Sequence, residues 1–120
     1  MDFNQLFRNR TKKFSIAIIK SLSPLPYSDD LSVIRKQVIR SVTSVASNYR
    51  AVSRARSEKE KFAKICIVVE EIDKTQFWLE LIEELQYLNQ EKIIHLKQEC
   101  EELVKVMTKY KFTLSQNITS

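Results

Sequence analysis

The chain contains no glycine, and its two prolines stand close together at Pro24 and Pro26. Glycine supplies the positive-φ positions of tight hairpin turns and lets backbone approach a phosphate closely. Hairpin-built sheets, phosphate-cradling loops and the strained elbow that presents a nucleophilic serine therefore lack their usual punctuation. Helix is what remains. At 120 residues, 43% of them hydrophobic, the chain is one ordinary domain with enough apolar material for a real core.

Four helical segments follow from the spacing of apolar residues. The first runs from about Asn4 to Leu22, with Phe7, Phe14, Ile18 and Leu22 on one face. The Ser23-Pro24-Leu25-Pro26 stretch ends it, because proline has no N–H for the ladder and biases the preceding residue away from helix. Asp29 or Asp30 offers the next N-cap. From about Leu31 to Arg54 the residues Leu31, Ile34, Val38, Val42, Val45, Tyr49 and Val52 repeat at strict three/four spacing.

Ser57 followed by Glu60 has the form of a capping box and starts the third helix near Glu58. Its core line is Phe62, Ile65, Val69, Ile72 and Leu79, with Val68 beside it. Asn89 caps the fourth, where Ile93, Leu96, Cys100, Leu103, Met107 and Tyr110 recur almost without fault. The polar residues 115–120 read as a frayed tail, which leaves 1–114 as a single domain. Short connections between long helices favour antiparallel neighbours, so the expected architecture is all-α, an up-down-up-down four-helix bundle.

Charge is unevenly distributed. Residues 1–64 carry 14 Lys/Arg against 5 Asp/Glu, and residues 65–120 carry 6 against 10. At about 100° per residue, Lys36, Arg40, Thr43, Ser47, Arg50 and Arg54 fall within roughly 40° of one line, opposite the apolar face of the second helix. Guanidinium groups bind phosphate oxygens in pairs, and small hydroxyls let a backbone come close, so the stripe suits the phosphates of RNA or DNA. Arg56, Lys59, Lys61 and Lys64 extend the basic run. The competing reading is an ordinary solvated face.

The third helix is apolar on a second side, where Ile67, Phe77, Trp78 and Leu81 surround Lys74. A helix with two apolar faces has to bury both, and in a bundle only one can serve the core. The second is read as a subunit interface anchored by Trp78, or else as a cap on one end of the core.

Catalytic chemistry finds little support. His95 is the single histidine, no Cys/His cluster has metal-ligand spacing, and the acidic residues of the third helix lack the Glu-x-x-His pairs of carboxylate-bridged metal bundles. Ser47 and Ser53 have no nearby histidine. No metal, cofactor or enzymatic activity is expected. Cys66 and Cys100 sit within apolar helical patterns as small hydrophobes. With no stretch of signal-peptide form and none long enough to span a bilayer, the expectation is a cytoplasmic chain with reduced thiols and no membrane contact.

The ordered run of residues also resembles a known family. Arg10-Thr11-Lys12-Lys13-Phe14, Leu25-Pro26, Gln37, Arg40-Ser41, Thr43-Ser44-Val45 and Asn48-Tyr49-Arg50-Ala51 carry the first half of the match. Arg54-Ala55-Arg56-Ser57, Phe62, Lys64, Glu70-Glu71, Asp73, Thr75 and Trp78-Leu79-Glu80-Leu81 carry the second. Together they resemble the bacterial four-helix-bundle proteins named for intervening sequences in 23S rRNA genes, which are similar to the accessory proteins of diversity-generating retroelements. The resemblance implies a homopentameric barrel with a basic surface, and for the retroelement members a nucleic acid and a reverse transcriptase as partners. This chain departs from the family where glycines are usual, at Val42 and Ala46, and where an acidic residue is usual, at Lys74.

The sequence therefore points to a non-enzymatic homo-oligomer that binds nucleic acid weakly through Lys36, Arg40, Arg50, Arg54 and Arg56. Its expected oligomer contact is made by Ile67, Lys74, Phe77, Trp78 and Leu81. The alternative is a structural or protein–protein interaction module, a reverse-transcriptase accessory subunit included.

Overall fold

A computed structural model describes residues 2–119. Four helices follow one another: α1 (Phe3–Leu22), α2 (Asp29–Arg54), α3 (Glu58–Glu84) and α4 (Gln90–Thr119). Each begins at a side chain that accepts a hydrogen bond from the backbone N–H three residues on, satisfying one of the orphan donors of the first turn. Asp2 accepts from Gln5, Ser28 from Leu31, Ser57 from Glu60 and Asn89 from Lys92. The cap of α2 is thus Ser28 and neither aspartate. Asp29 and Asp30 lie inside the first turn, where their charge complements the helix dipole. The box at Ser57 is half formed, since Glu60 reaches back to the N–H of Arg56 at 3.3 Å and misses that of Ser57.

The end of α3 is built without glycine. Gln86 takes up φ 59°, the left-handed region, while its N–H donates to Glu83 O and that of Tyr87 donates to Ile82 O. This is the paired bonding of a Schellman cap, with glutamine in the position glycine normally holds. The expected tail after Leu114 is instead helix. Leu114 continues the buried line of α4, and the backbone stays helical through Thr119. Asn117 reaches Glu58 on α3 at 3.4 Å.

The core is the strip of each helix that the spacing foretold. Phe7, Phe14, Ile18 and Leu22 from α1 meet the Leu31–Val52 line of α2, and Ile93, Cys100, Leu103 and Met107 close it from α4. On α3 the buried line is Ile65, Val68, Ile72, Thr75, Leu79 and Ile82. Phe62 and Val69, expected in that line, are only partly buried, because the helix is rotated to bring Val68 and Thr75 inward.

Cross-helix contacts establish the antiparallel order. Ser15 on α1 donates to the carbonyl of Val42 on α2 at 3.0 Å, and Thr75 on α3 meets Ser41 on α2 at 2.9 Å. Val42 is fully buried, and the close approach of α1 to α2 is made from the other side by the small Ser15. Neighbouring helices pack along their lengths except for α1 and α4, whose contact is the slightest of the four. Arg10 closes that seam with two hydrogen bonds to Glu99, at 2.6 and 3.2 Å, and Phe3 sets its ring edge-on to Tyr110.

Candidate nucleic-acid interface

The five basic residues expected to contact phosphate, Lys36, Arg40, Arg50, Arg54 and Arg56, are all exposed. Lys36, Arg40, Arg50 and Arg54 lie along α2 because their positions fall opposite its buried line, and Arg56 follows the end of that helix. Only Arg50 of the five enters a recess. A groove of about 540 Å³ runs between α1 and α2, with Thr43, Ala46, Ser47 and Arg50 on one wall. The other wall is Gln5, Arg8, Asn9, Lys12, Ser15, Ile16 and Ile19 of α1. Arg8 and Lys12 were not foreseen. Their i, i+4 spacing with Gln5, Asn9 and Ile16 on the face opposite Phe7 and Phe14 is the signal that could have found them.

No carboxylate and no aromatic ring lines the groove. Among the described residues Arg8, Lys12 and Arg50 have no ion-pair partner, so their charge is available to a ligand. The hydroxyls are already engaged. Thr43 donates to Ile39 O at 2.6 Å, Ser47 to Ser44 O at 3.3 Å, and Ser15 lies 3.0 Å from Val42 O. Tyr49 also ties α2 to α1, its buried phenol donating to Asn4 at 3.1 Å. Burial, the largest cause, holds this phenol well above its ordinary pKa, and nearby Arg8 pulls the other way. The phenol therefore stays a neutral donor.

Arg40 differs from its companions. Its guanidinium sits 3.5 Å from Glu71, a side chain of α3 that is only 9% exposed. The other oxygen of Glu71 receives Lys74 at 3.2 Å. Lys74 is also 3.5 Å from Glu70, so its charge is neutralised within its own helix. Around it, Ile67 is 37% and Phe77 51% exposed, whereas Trp78 and Leu81 are partly buried. Phe77 packs edge-on against Trp78 with ring centroids 5.0 Å apart. Trp78 leans on the core, so the patch shows more of Phe77 than of the tryptophan expected to anchor it.

Among the described residues no group of three or more His, Cys, Asp or Glu is placed to hold a metal ion, and no helix is long and apolar enough to cross a membrane. Cys66 and Cys100 are both free thiols, the first partly and the second fully buried.

These features define a class: a glycine-free, antiparallel four-helix bundle with a basic groove on one side and a mixed apolar patch on another. Residues 5–109 match the model of the 23S rRNA-intervening sequence protein family, and the chain belongs to that family. The crystal structure of a protein of unknown function from the S23 ribosomal protein family of Bacteroides thetaiotaomicron superposes with a TM-score of 0.79. It is 24% identical, with 90% of this chain and 96% of that one covered, and it supports the fold. No curated protein shows significant similarity to the chain.

Proposed function

We propose that this protein binds nucleic acid weakly, by its phosphates and without chemistry of its own, through the α1–α2 face. The observation that carries this reading is the groove in which Arg8, Lys12 and Arg50 converge with no carboxylate among them. Lys36, Arg54 and Arg56 flank it as exposed cations. Cations of this kind displace the counterions of a polyphosphate, so affinity falls steeply with salt. Fluorescence anisotropy with oligonucleotides between about 50 and 200 mM salt tests it, since three lost phosphate contacts in a Lys12, Arg50 and Arg54 to Gln variant should flatten the salt slope by up to about three units. Absence of binding at about 50 mM salt refutes the proposal.

A second reading concerns α3 and is compatible with the first. Ile67 and Phe77 are exposed beside half-buried Trp78, which favours a self-association surface on α3. Light scattering at micromolar concentration checks this: a mass well above 14.1 kDa is expected, reduced in the Phe77→Ala and Trp78→Ala variants. A mass of one chain would leave the patch without that role.

A further inference from the structure

The groove holds cations and oxygen acceptors in alternation, and that pattern distinguishes one nucleic-acid backbone from the other. A hydroxyl carries one proton and two lone pairs. Thr43 spends its proton on Ile39 O at 2.6 Å, and Ser47 spends its proton on Ser44 O. What both turn to a ligand is an oxygen that accepts. Phosphate oxygens are themselves acceptors, so Arg8, Lys12 and Arg50 serve them better than Thr43 and Ser47 do while those hydroxyls stay bonded to their own helix. A ligand that also brings a donor beside its phosphates gains the two hydroxyl oxygens as partners.

Ribose brings one in every residue, the 2′-hydroxyl, and deoxyribose does not. Thr43, Ser47 and Arg50 stand one helical turn apart on the α2 wall, with Lys12 and Arg8 facing them from α1. The groove contains no aromatic side chain on which a base could stack, so selectivity has to come from sugar and phosphate. From Gln5 to Ile19 it spans roughly 20 Å at the ~1.5 Å rise of a helix, room for a short run of one strand. The two walls belong to adjacent packed helices, whose axes lie ~8–10 Å apart, so the groove takes one sugar–phosphate backbone at a time.

Resting on the reading above, we infer that the α1–α2 groove takes single-stranded RNA in preference to DNA, with Thr43 and Ser47 accepting from ribose 2′-hydroxyls and Arg8, Lys12 and Arg50 holding the adjoining phosphates. The base sequence is not read.

The test compares three oligonucleotides of equal length by fluorescence anisotropy at one salt concentration: oligo(U), its 2′-deoxy form and its 2′-O-methyl form. The last keeps the 2′ oxygen and loses the donor. Oligo(U) should bind about 2- to 10-fold more tightly than either, the range of one ordinary hydrogen bond. A Thr43→Val, Ser47→Ala variant, checked for folding by circular dichroism, should erase the preference, binding oligo(U) and its deoxy form with equal affinity. Equal binding of oligo(U) and the deoxy form overturns this inference while phosphate binding stands. Tighter binding of the 2′-O-methyl form than the deoxy form also overturns it, since no donor is then needed. If neither oligo(U) nor its deoxy form binds at about 50 mM salt, the phosphate reading falls and this inference with it.

Discussion

The hydroxyl oxygens of Thr75 on α3 and Ser41 on α2 lie 2.9 Å apart in the fully buried interior. Ser41 passes its own proton to Val38 O, and Thr75 has a second acceptor in Glu71 O at 2.9 Å. Each polar atom is thus satisfied whichever acceptor the Thr75 proton takes. Thr75→Val keeps the shape and removes the link, and should cost about 1 kcal/mol in urea unfolding. A double-mutant cycle with Ser41→Ala should show a coupling of about 0.5 kcal/mol or more, as residues in contact do.

Gln86 is held at φ 59° without the freedom that glycine would bring. For a residue with a Cβ that conformation costs roughly 1–2 kcal/mol. Gln86→Gly should therefore stabilise the protein by about 1 kcal/mol, raising the urea midpoint without changing the slope. No change, or a loss, would mean that the glutamine makes a compensating contact.

Three of the four arginines of α2, Arg40, Arg50 and Arg54, should separate by experiment. Arg50 and Arg54 face ligand or solvent, so Arg50→Gln and Arg54→Gln should weaken oligonucleotide binding at unchanged stability. Arg40→Gln leaves the nearly buried Glu71 with Lys74 as its remaining cation. It should cost up to about 1 kcal/mol in unfolding, the worth of a half-exposed ion pair, and take less from binding than Arg50→Gln does. Paired urea and anisotropy measurements on the three variants decide the matter.

Burial pushes the Cys100 thiol up to about 12 from its ordinary 9.0, with the nearby carboxylates Glu101, Asp73, Glu80 and Glu99 adding to it. The folded state holds this proton after the unfolded chain has lost it, so the stabilisation is complete below about pH 9 and drains away as pH rises toward about 12. Tyr49 and Tyr110, both raised from 10.0 chiefly by burial, join the loss at higher pH, as does Lys97, raised by its bond to Glu83. Urea midpoints should fall with pH above about 9, and Cys100→Ala should remove the early part of that fall. In the native protein iodoacetamide should label Cys66 well before Cys100.

The helices were legible because each except α3 buries one strip, and a single strip at 3.6-residue period reads unambiguously along the chain. α3 is apolar on two sides, so the line through Phe62 and Val69 competed with the true one through Val68 and Thr75, a rotation of one position that only packing decides. The α2 cap was off by one for a local reason: Ser28, Asp29 and Asp30 are all competent, and the extended backbone at Ser28 selects the serine. The arginine stripe of α2 was visible, yet the groove was not. It is made by two helices, and no pattern within either shows that Lys12 and Arg8 come to face Ser47 and Arg50, or that Arg40 is taken up by Glu71.

One wall of the groove stands on α1, the helix with the least support. Serine 15 and the α1 core residues bind it along α2, whereas on its other flank it meets α4 chiefly at the Arg10–Glu99 bridge and the Phe3–Tyr110 edge. Were α1 to swing on its α2 contact as a door on its jamb, the Arg10–Glu99 bridge would be the latch. Amide exchange along α1, compared between the wild type and Arg10→Gln, reads how far the seam with α4 holds that wall of the groove in place.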